Sequence, residues 1–280
     1  MTSKAVKILV LAGFGINCDH ESQYAFNLAG AEADRVHINQ LIRMKQQGRP
    51  PLAAYHVIVV DGGFAWADDH GAGVLLALKM RSHLGDDIQA FLDQGKLIIG
   101  VCNGFQALVN MGLLPALDGD RQARTVALIP NDCGNFRDQW VNLAVNPASP
   151  CVFTKGIDTL DLPVRHGEGK FFAPPETIAR LEESGQVVLR YTDQRYRPAQ
   201  GRFPFNPNGS LNDIAGICDP AGLVFGLMPH PEAFHHLTNH PDWTRTVEKY
   251  RRLKTEPEDW SGDGLKIFKN AVEYVRENLL

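Results

Sequence analysis

The stretch that decides the fold is Lys96-Leu97-Ile98-Ile99-Gly100-Val101-Cys102-Asn103-Gly104-Phe105-Gln106-Ala107-Leu108-Val109-Asn110-Met111-Gly112-Leu113-Leu114. Its apolar run, Leu97 to Val101, is too short for a helix and has the character of a buried parallel strand. The run ends in Gly100-Val101-Cys102-Asn103-Gly104, and a short helix is expected next, with Gly112 as its stop. A strand that turns sharply into a helix, with a nucleophile at the apex and glycine on both sides, is a nucleophile elbow. Such a turn brings backbone segments close and leaves no room for a Cβ. It sets the sulfur of Cys102 near a helix N-terminus, where the dipole stabilises negative charge. It also turns the Asn103 N–H toward an oxyanion forming on an attacked carbonyl. Taken alone, the same residues describe equally well a buried structural cysteine in a strand–loop–helix turn.

A base would separate the two readings. Gly222 to Met228 reads as another buried strand, so His230, in Pro229-His230-Pro231-Glu232, falls just past a strand end. Open α/β sheets carry their sites there. In extended backbone His230 and Glu232 point to the same side, so Glu232 can hold and polarise the imidazole as the third member of a triad does. Proline on both sides of His230 restricts the backbone. A solvated histidine in a surface loop is the alternative. His166-Gly167-Glu168-Gly169 competes for the same role, since it also places a histidine and an acid two apart after an extended run.

Around these points the chain alternates. Val6 to Ala12 is a first strand, and a helix follows from about Glu21 to Ala29, with Gly30 at its C-terminal cap. Ala33 to Ile38 is the next strand, and Asn39 is expected to cap a short helix closed by Gly48. Tyr55 to Val60 is a third strand, and an amphipathic helical region spans about Val74 to Gln94, with Gly85 as a candidate break. This order predicts an α/β fold with a doubly wound, mainly parallel sheet flanked by helices. Beyond Pro115, short extended runs (125–130, 137–145, 162–166, 187–192 and 213–218) suggest antiparallel pieces attached to that sheet. Residues 193–212 read as loop. Leu265, Phe268, Val272, Val275 and Leu279 mark one face of a terminal helix, with Asp263 or Ser261 as its cap.

At 280 residues and 44% apolar content the chain can bury one large core, and no flexible linker divides it, so residues 1–280 are read as a single domain. A net charge of −4 gives no electrostatic reason to expect nucleic acid or an anionic membrane as partner. Five cysteines (18, 102, 133, 151 and 218) form no Cys-x-x-Cys pair, which suits a reducing compartment. No apolar stretch reaches the roughly 18 residues of a membrane span, and the N-terminus lacks a leader-like core, so a soluble cytoplasmic protein is expected. His230, His235, His236 and His240 cluster, but without a metal-binding spacing, and no metal is expected. The basic run Lys249 to Lys254 reads as a solvated helix face.

The combination of Gly100-Val101-Cys102-Asn103-Gly104-Phe105-Gln106 with Pro229-His230-Pro231-Glu232 resembles the class I (triad) glutamine amidotransferases. Gly13 to Asp19, Asp61-Gly62-Gly63-Phe64, Arg165 to Gly169 and Asn206 to Ile217 narrow the resemblance to the glutaminase-subunit family of phosphoribosylformylglycinamidine synthases, from purine biosynthesis. The match runs in order from about Lys7 to Phe234, and about 235–280 resembles an extension of longer members. The resemblance implies Cys102, His230 and Glu232 as the catalytic triad. It implies Gly63 and Asn103 as oxyanion donors, and Gln106 with the His166-Gly167-Glu168 wall as contacts to bound L-glutamine. Cys18 reads as structural or interface-related. The family commonly has proline at the position of Asp61 and a serine-tyrosine-glycine-type sequence at Ala65-Trp66-Ala67.

No phosphate-binding loop occurs in the sequence. The resemblance places ATP and magnesium on a separate synthetase subunit, often accompanied by a small third subunit, with ammonia passed between active sites. The alternatives are the glutaminase subunit of another amidotransferase, a same-fold cysteine hydrolase acting without a partner, and a regulatory subunit without chemistry. The last is disfavoured by the presence of Cys102 together with His230 and Glu232.

Overall fold

The short apolar runs assemble into one nine-stranded sheet in the computed structural model, which describes residues 5–256 and 259–280. Residues 1–4, part of the stretch read for a leader, lie outside the described residues. The strands are β1 (Lys7–Ala12), β2 (Glu32–His37), β3 (Val57–Val60), β4 (Leu97–Val101), β5 (Ala127–Ile129), β6 (Arg137–Val145), β7 (Thr159–His166), β8 (Lys170–Phe172), β9 (Val187–Thr192), β10 (Ile214–Cys218) and β11 (Val224–Leu227). The order across the sheet is β2-β1-β3-β4-β11-β10-β9-β6-β7. Pairing is parallel from β2 to β11 and antiparallel from β11 to β7. The antiparallel strands therefore continue the main sheet, and only β5 and β8 pair separately.

The central parallel strands β3, β4 and β11, and most of β1, are apolar because both their faces are covered, whereas the edge strand β2 buries only Ala33 and Val36. The helices are α1 (Asp19–Leu28), α2 (Ile38–Gln46), α3 (Val74–Leu92), α4 (Asn103–Met111), α5 (Pro175–Glu183), α6 (Trp243–Leu253) and α7 (Gly264–Asn278). With the strand order β2-β1-β3-β4, the right-handed crossover rule assigns α1 to one face and α2 and α3 to the other; α1 packs with α7, and α3 with α4.

Three local expectations are corrected. The α2 cap is His37, whose ring accepts from the Asn39 N–H at 3.1 Å, so Asn39 lies inside the first turn. Helix α3 runs unbroken through Gly85, which sits within a 19-residue helix packed by Leu84 and Ile88. At α7, Asp263 makes no capping hydrogen bond; its carboxylate accepts from the Asp161 N–H of β7 at 3.2 Å. Helix α5 and strand β8 were not anticipated, although Pro175 at the first helical position was an available signal.

The C-terminal segment has two characters. Helix α6 buries no residue, whereas α7 inserts Leu265, Ile267, Phe268, Ala271, Val272 and Val275. Phe268 meets Phe26 of α1 edge to face, with ring centroids 4.8 Å apart. The start of α7 presses so closely on the turn after His230 that a Cβ at Gly264 would lie 1.9 Å from the Pro231 carbonyl oxygen. Helix α7 thus belongs to the support of the site.

Phe268 is fully buried, so Phe268→Ala is expected to destabilise the protein by about 3–5 kcal/mol, the range for truncating a buried aromatic. Denaturant unfolding checks this, and a loss below about 1 kcal/mol would show that α7 is peripheral.

Candidate active site

Cys102 occupies the apex between β4 and α4 with φ 50° and ψ −106°, a backbone region that a non-glycine residue keeps only when its surroundings enforce it. Its N–H donates to the Leu227 carbonyl of β11 at 2.8 Å, and its carbonyl accepts from the Gln106 N–H at 3.1 Å. Behind it, a Cβ on Gly104 would lie 1.7 Å from the Val60 carbonyl oxygen, so the turn closes only with glycine there. The Cys102 side chain is buried, and its thiol points at the Arg165 carbonyl, 3.6 Å away.

His230 follows β11, and its backbone N–H donates to the Pro163 carbonyl of β7 at 2.8 Å. Its Nδ1 lies 2.5 Å from Glu232 Oε1. Residues Pro231–Ala233 form a single 3-10 turn, so a turn brings the pair together, in place of the extended backbone expected from the sequence. Burial alone would lower the imidazole pKa, but the Glu232 carboxylate, and after it Cys102, outweigh burial and hold it well above the ordinary value. Among the described residues nothing hydrogen-bonds to His230 Nε2.

The loop after β3 lies against both groups. A Cβ built on Gly62 would be 2.7 Å from His230 Cε1 and 3.4 Å from Cys102 Cβ. Gly63 has φ 145° and bridges Ile16 in an antiparallel contact. The bonds of that contact run from the Phe64 N–H to the Gly15 carbonyl (2.9 Å) and from the Asn17 N–H to the Gly62 carbonyl (3.0 Å). The Gly63 amide is therefore left out of the pairing and faces away from Ile16. Asn103 is the first residue of α4, so its N–H has no partner within the helix.

The Asn103 side chain does something the sequence did not suggest. It donates to Asp68 Oδ1 at 2.8 Å and to Gln106 Oε1 at 3.2 Å, and accepts from the Ala65 N–H at 3.3 Å. It thereby latches a turn in which Trp66, Ala67 and Asp68 all carry positive φ (54°, 58° and 57°). Gln106 donates its amide to the Glu168 carbonyl, and the Glu168 carboxylate accepts from the Ala72 N–H at 3.3 Å. Gln106 and Glu168 are thus brought together beside this loop.

His166 is engaged differently. Its Nδ1 lies 3.2 Å from Asn131 Oδ1 and its Nε2 lies 3.5 Å from Asn208 Nδ2. Asn131 also holds the backbone, its N–H donating to the Gly167 carbonyl at 3.0 Å and its side chain to the His166 carbonyl at 2.8 Å. Burial, reinforced by nearby His230, pushes the His166 pKa down to about 3. The ring is a neutral anchor under the segment, and what remains available to a ligand is the Gly167–Glu168 stretch. The sequence reading missed Asn131; Asn208 lay inside a quoted motif without an assigned role.

Two further buried residues lie behind His230 and Glu232. Cys18 Sγ lies 3.8 Å from His230 Nδ1, and burial pushes this thiol up to about 11. Asp61 is fully buried and accepts from the Ser22 hydroxyl; burial holds its carboxyl well above the usual range. The clustered histidines disperse: His235 meets the Glu232 carbonyl, His236 the Thr238 hydroxyl and His240 the Trp140 ring.

The sequence profile described as CobB/CobQ-like glutamine amidotransferase domain matches residues 5–275. The chain belongs to this glutamine amidotransferase family. Among curated relatives, the phosphoribosylformylglycinamidine synthase subunit PurQ of Dehalococcoides mccartyi is 47% identical, covering 97% of this chain and 98% of its own. The protein of the same name from Methanococcus maripaludis is 44% identical with the same coverage. Of solved structures, one described as PurLQS from Thermotoga maritima superposes with a TM-score of 0.70 at 28% identity, over 97% of this chain and 100% of that one. The amidotransferase match spans α7 as well, in keeping with the packing of that helix on the site. No helix among the described residues is long and apolar enough to cross a membrane.

His166 stays neutral in the folded amidotransferase down to about pH 3 but protonates near pH 6.5 once unfolded. Between those values the unfolded state binds more protons, so this residue makes stability fall as pH falls. His166→Gln should flatten the decline between pH 6 and pH 4 by up to about 1.4 kcal/mol per pH unit. Chemical denaturation across that range measures it, and an unchanged slope would mean the ring is charged in the fold.

Proposed function

We propose that this chain is the glutaminase subunit of a phosphoribosylformylglycinamidine synthase, supplying ammonia from glutamine to a synthetase partner in purine biosynthesis. The observation that carries the reading is the buried His230–Glu232 pair set beside strained Cys102, in a chain that matches PurQ relatives over 97% of its length. The sulfur of Cys102 attacks the side-chain carbonyl of L-glutamine, and the N–H groups of Gly63 and Asn103 receive the oxyanion. The C–N bond then breaks, and His230, steered by Glu232, gives its proton to the departing ammonia, leaving a γ-glutamyl thioester on Cys102. The same histidine next takes a proton from water, which opens the thioester and releases glutamate. Gln106, Gly167 and Glu168 line the glutamine side of the site, with His166 holding that wall from behind.

ATP and magnesium act on the synthetase subunit in this reading, and a small third subunit completes the complex, which works in the cytoplasm. Ammonia is largely protonated in neutral water, so its transfer has to be sheltered. The latch of Asn103 on residues 65–68 gives docking a means of control. A shift of about 1 Å in the oxyanion donors changes turnover on the order of a hundredfold.

His230→Ala should lower glutamine hydrolysis at least about a hundredfold, the usual scale for a lost acid–base group, and Glu232→Ala should cost less. Steady-state glutaminase assays decide this; a crippling His166→Ala beside a mild His230→Ala would reverse the assignment.

The function itself is tested by reconstitution with the synthetase, ATP and formylglycinamide ribonucleotide. Cys102→Ala should abolish glutamine-dependent synthesis while added ammonium salt still supports it. The loaded synthetase should also raise the glutaminase rate of the unsubstituted chain at least about tenfold, or about 1.4 kcal/mol in barrier. Synthesis lost with ammonium salt as well, or a glutaminase rate indifferent to the partner, would defeat the reading.

A further inference from the structure

Behind His230, on the edge of the ring away from the glutamine chemistry, three ligand-type side chains converge. Cys18 Sγ lies 3.8 Å and Glu232 Oε1 2.5 Å from His230 Nδ1. The sulfur, the ring nitrogen and the carboxylate oxygen all fall within 4.8 Å of one another, and all three residues are buried. Glu232 Oε2 is buried as well and finds no hydrogen-bond partner among the described residues. Residue 62 is glycine, and a Cβ there would stand 3.3 Å from Cys18 Sγ.

Thiolate, imidazole and carboxylate are the ligand types of zinc, whose bonds of about 2.0–2.3 Å set tetrahedral ligand atoms about 3.5 Å apart. The sulfur-to-nitrogen distance is close to that spacing. The carboxylate contact is shorter, and a pivot of Glu232 brings its unpartnered oxygen into use. We propose that Cys18, His230 and Glu232 form a binding site for a thiophilic divalent cation of the zinc type, and that the bound cation switches off glutamine hydrolysis.

The balance of the step is simple. Cys18 releases its thiol proton to solvent as the sulfur–metal bond forms. His230, protonated on both nitrogens beside Glu232, gives its Nδ1 proton to solvent as the Nδ1–metal bond forms, so two protons leave per cation and the one remaining ring proton resides on Nε2. Glu232 exchanges its contact with Nδ1 for the metal, and water fills the fourth position. No redox change occurs. A ring protonated at Nε2 and ligated at Nδ1 has no lone pair left to exchange protons with Cys102 or water, so turnover stops although Cys102 is untouched.

The binding arm uses the full chain carrying Cys102→Ala, titrated with cobalt(II) as a coloured stand-in for zinc. One equivalent should produce a near-ultraviolet sulfur-to-cobalt charge-transfer band with tetrahedral visible bands. Adding Cys18→Ser should abolish the charge-transfer band. His230→Gln, a second variant that leaves the sulfur in place, should weaken cobalt binding at least about tenfold. A band that survives Cys18→Ser, or no band at all, overturns the site. The activity arm rests on His230 being the base proposed above. Zinc should inhibit glutamine hydrolysis by the unsubstituted chain, and a chelator should restore it. Cys18→Ser should keep its zinc-free turnover and need at least about tenfold more zinc for the same inhibition. Equal inhibition of both proteins would place the metal on Cys102 and overturn the proposal. A Cys18-dependent cobalt band without zinc inhibition would keep the site and overturn the switch, and with it the role of His230.

Discussion

A histidine and a glutamate buried together at 2.5 Å are tolerable only as a pair, and much of this molecule exists to keep them so. Glu232 is completely enclosed, and His230 is nearly so. Removing either partner would strand a buried polar group, a loss of several kcal/mol. The pairing depends on a turn of three residues, and that turn is pinned from two sides. Strand β7 accepts the His230 N–H through Pro163, and the first turn of α7 lies directly on Pro231. A helix that begins only at Gly264 thereby bears on the geometry of His230.

Cys102, the proposed nucleophile, is fixed by a different constraint. The outward φ of Cys102 is costly for a side-chain-bearing residue and survives because β11 grips its amide and Val60 leaves room only for glycine at position 104. Strands β4 and β11 are neighbours in the sheet, so the sulfur and the imidazole are delivered by adjacent strand ends. This is the economy of a parallel sheet. Residues 128 positions apart in sequence meet because their strands are hydrogen-bonded to each other.

The sequence singled out Cys102, His230 and Glu232 because the proposed chemistry requires such residue types beside strand ends, and the fold does bring these three together. Periodicity exposed the parallel strands and α7 for the related reason that their apolar faces are buried. What escaped was contact between segments far apart in the chain. Nothing near Asn17-Cys18-Asp19 announces that the thiol will face His230, since that depends on the Gly15–Gly63 stretch of backbone pairing. Likewise, the tandem of Asn131 and Asn208 around His166 is invisible until β7 and the loop before β10 are brought together. Helix α5 escaped because its nine residues bury only Thr177, Ile178 and Leu181, too few for a clear period.

The contacts around the elbow are shared between segments that are distant in the chain. The Cys102 thiol points at the Arg165 carbonyl, 3.6 Å away, at the end of β7 and next to residues 166–168. Glu168 is tied in turn to Gln106 and to Ala72 of the left-handed loop, and Asn103 ties that loop back to the elbow. Thiol, oxyanion loop and glutamine wall therefore form one hydrogen-bonded ring around the site. The contacts of Glu168 and Gln106 are thus the same ones that hold residues 65–72 against the elbow, and they join the two segments by shared bonds.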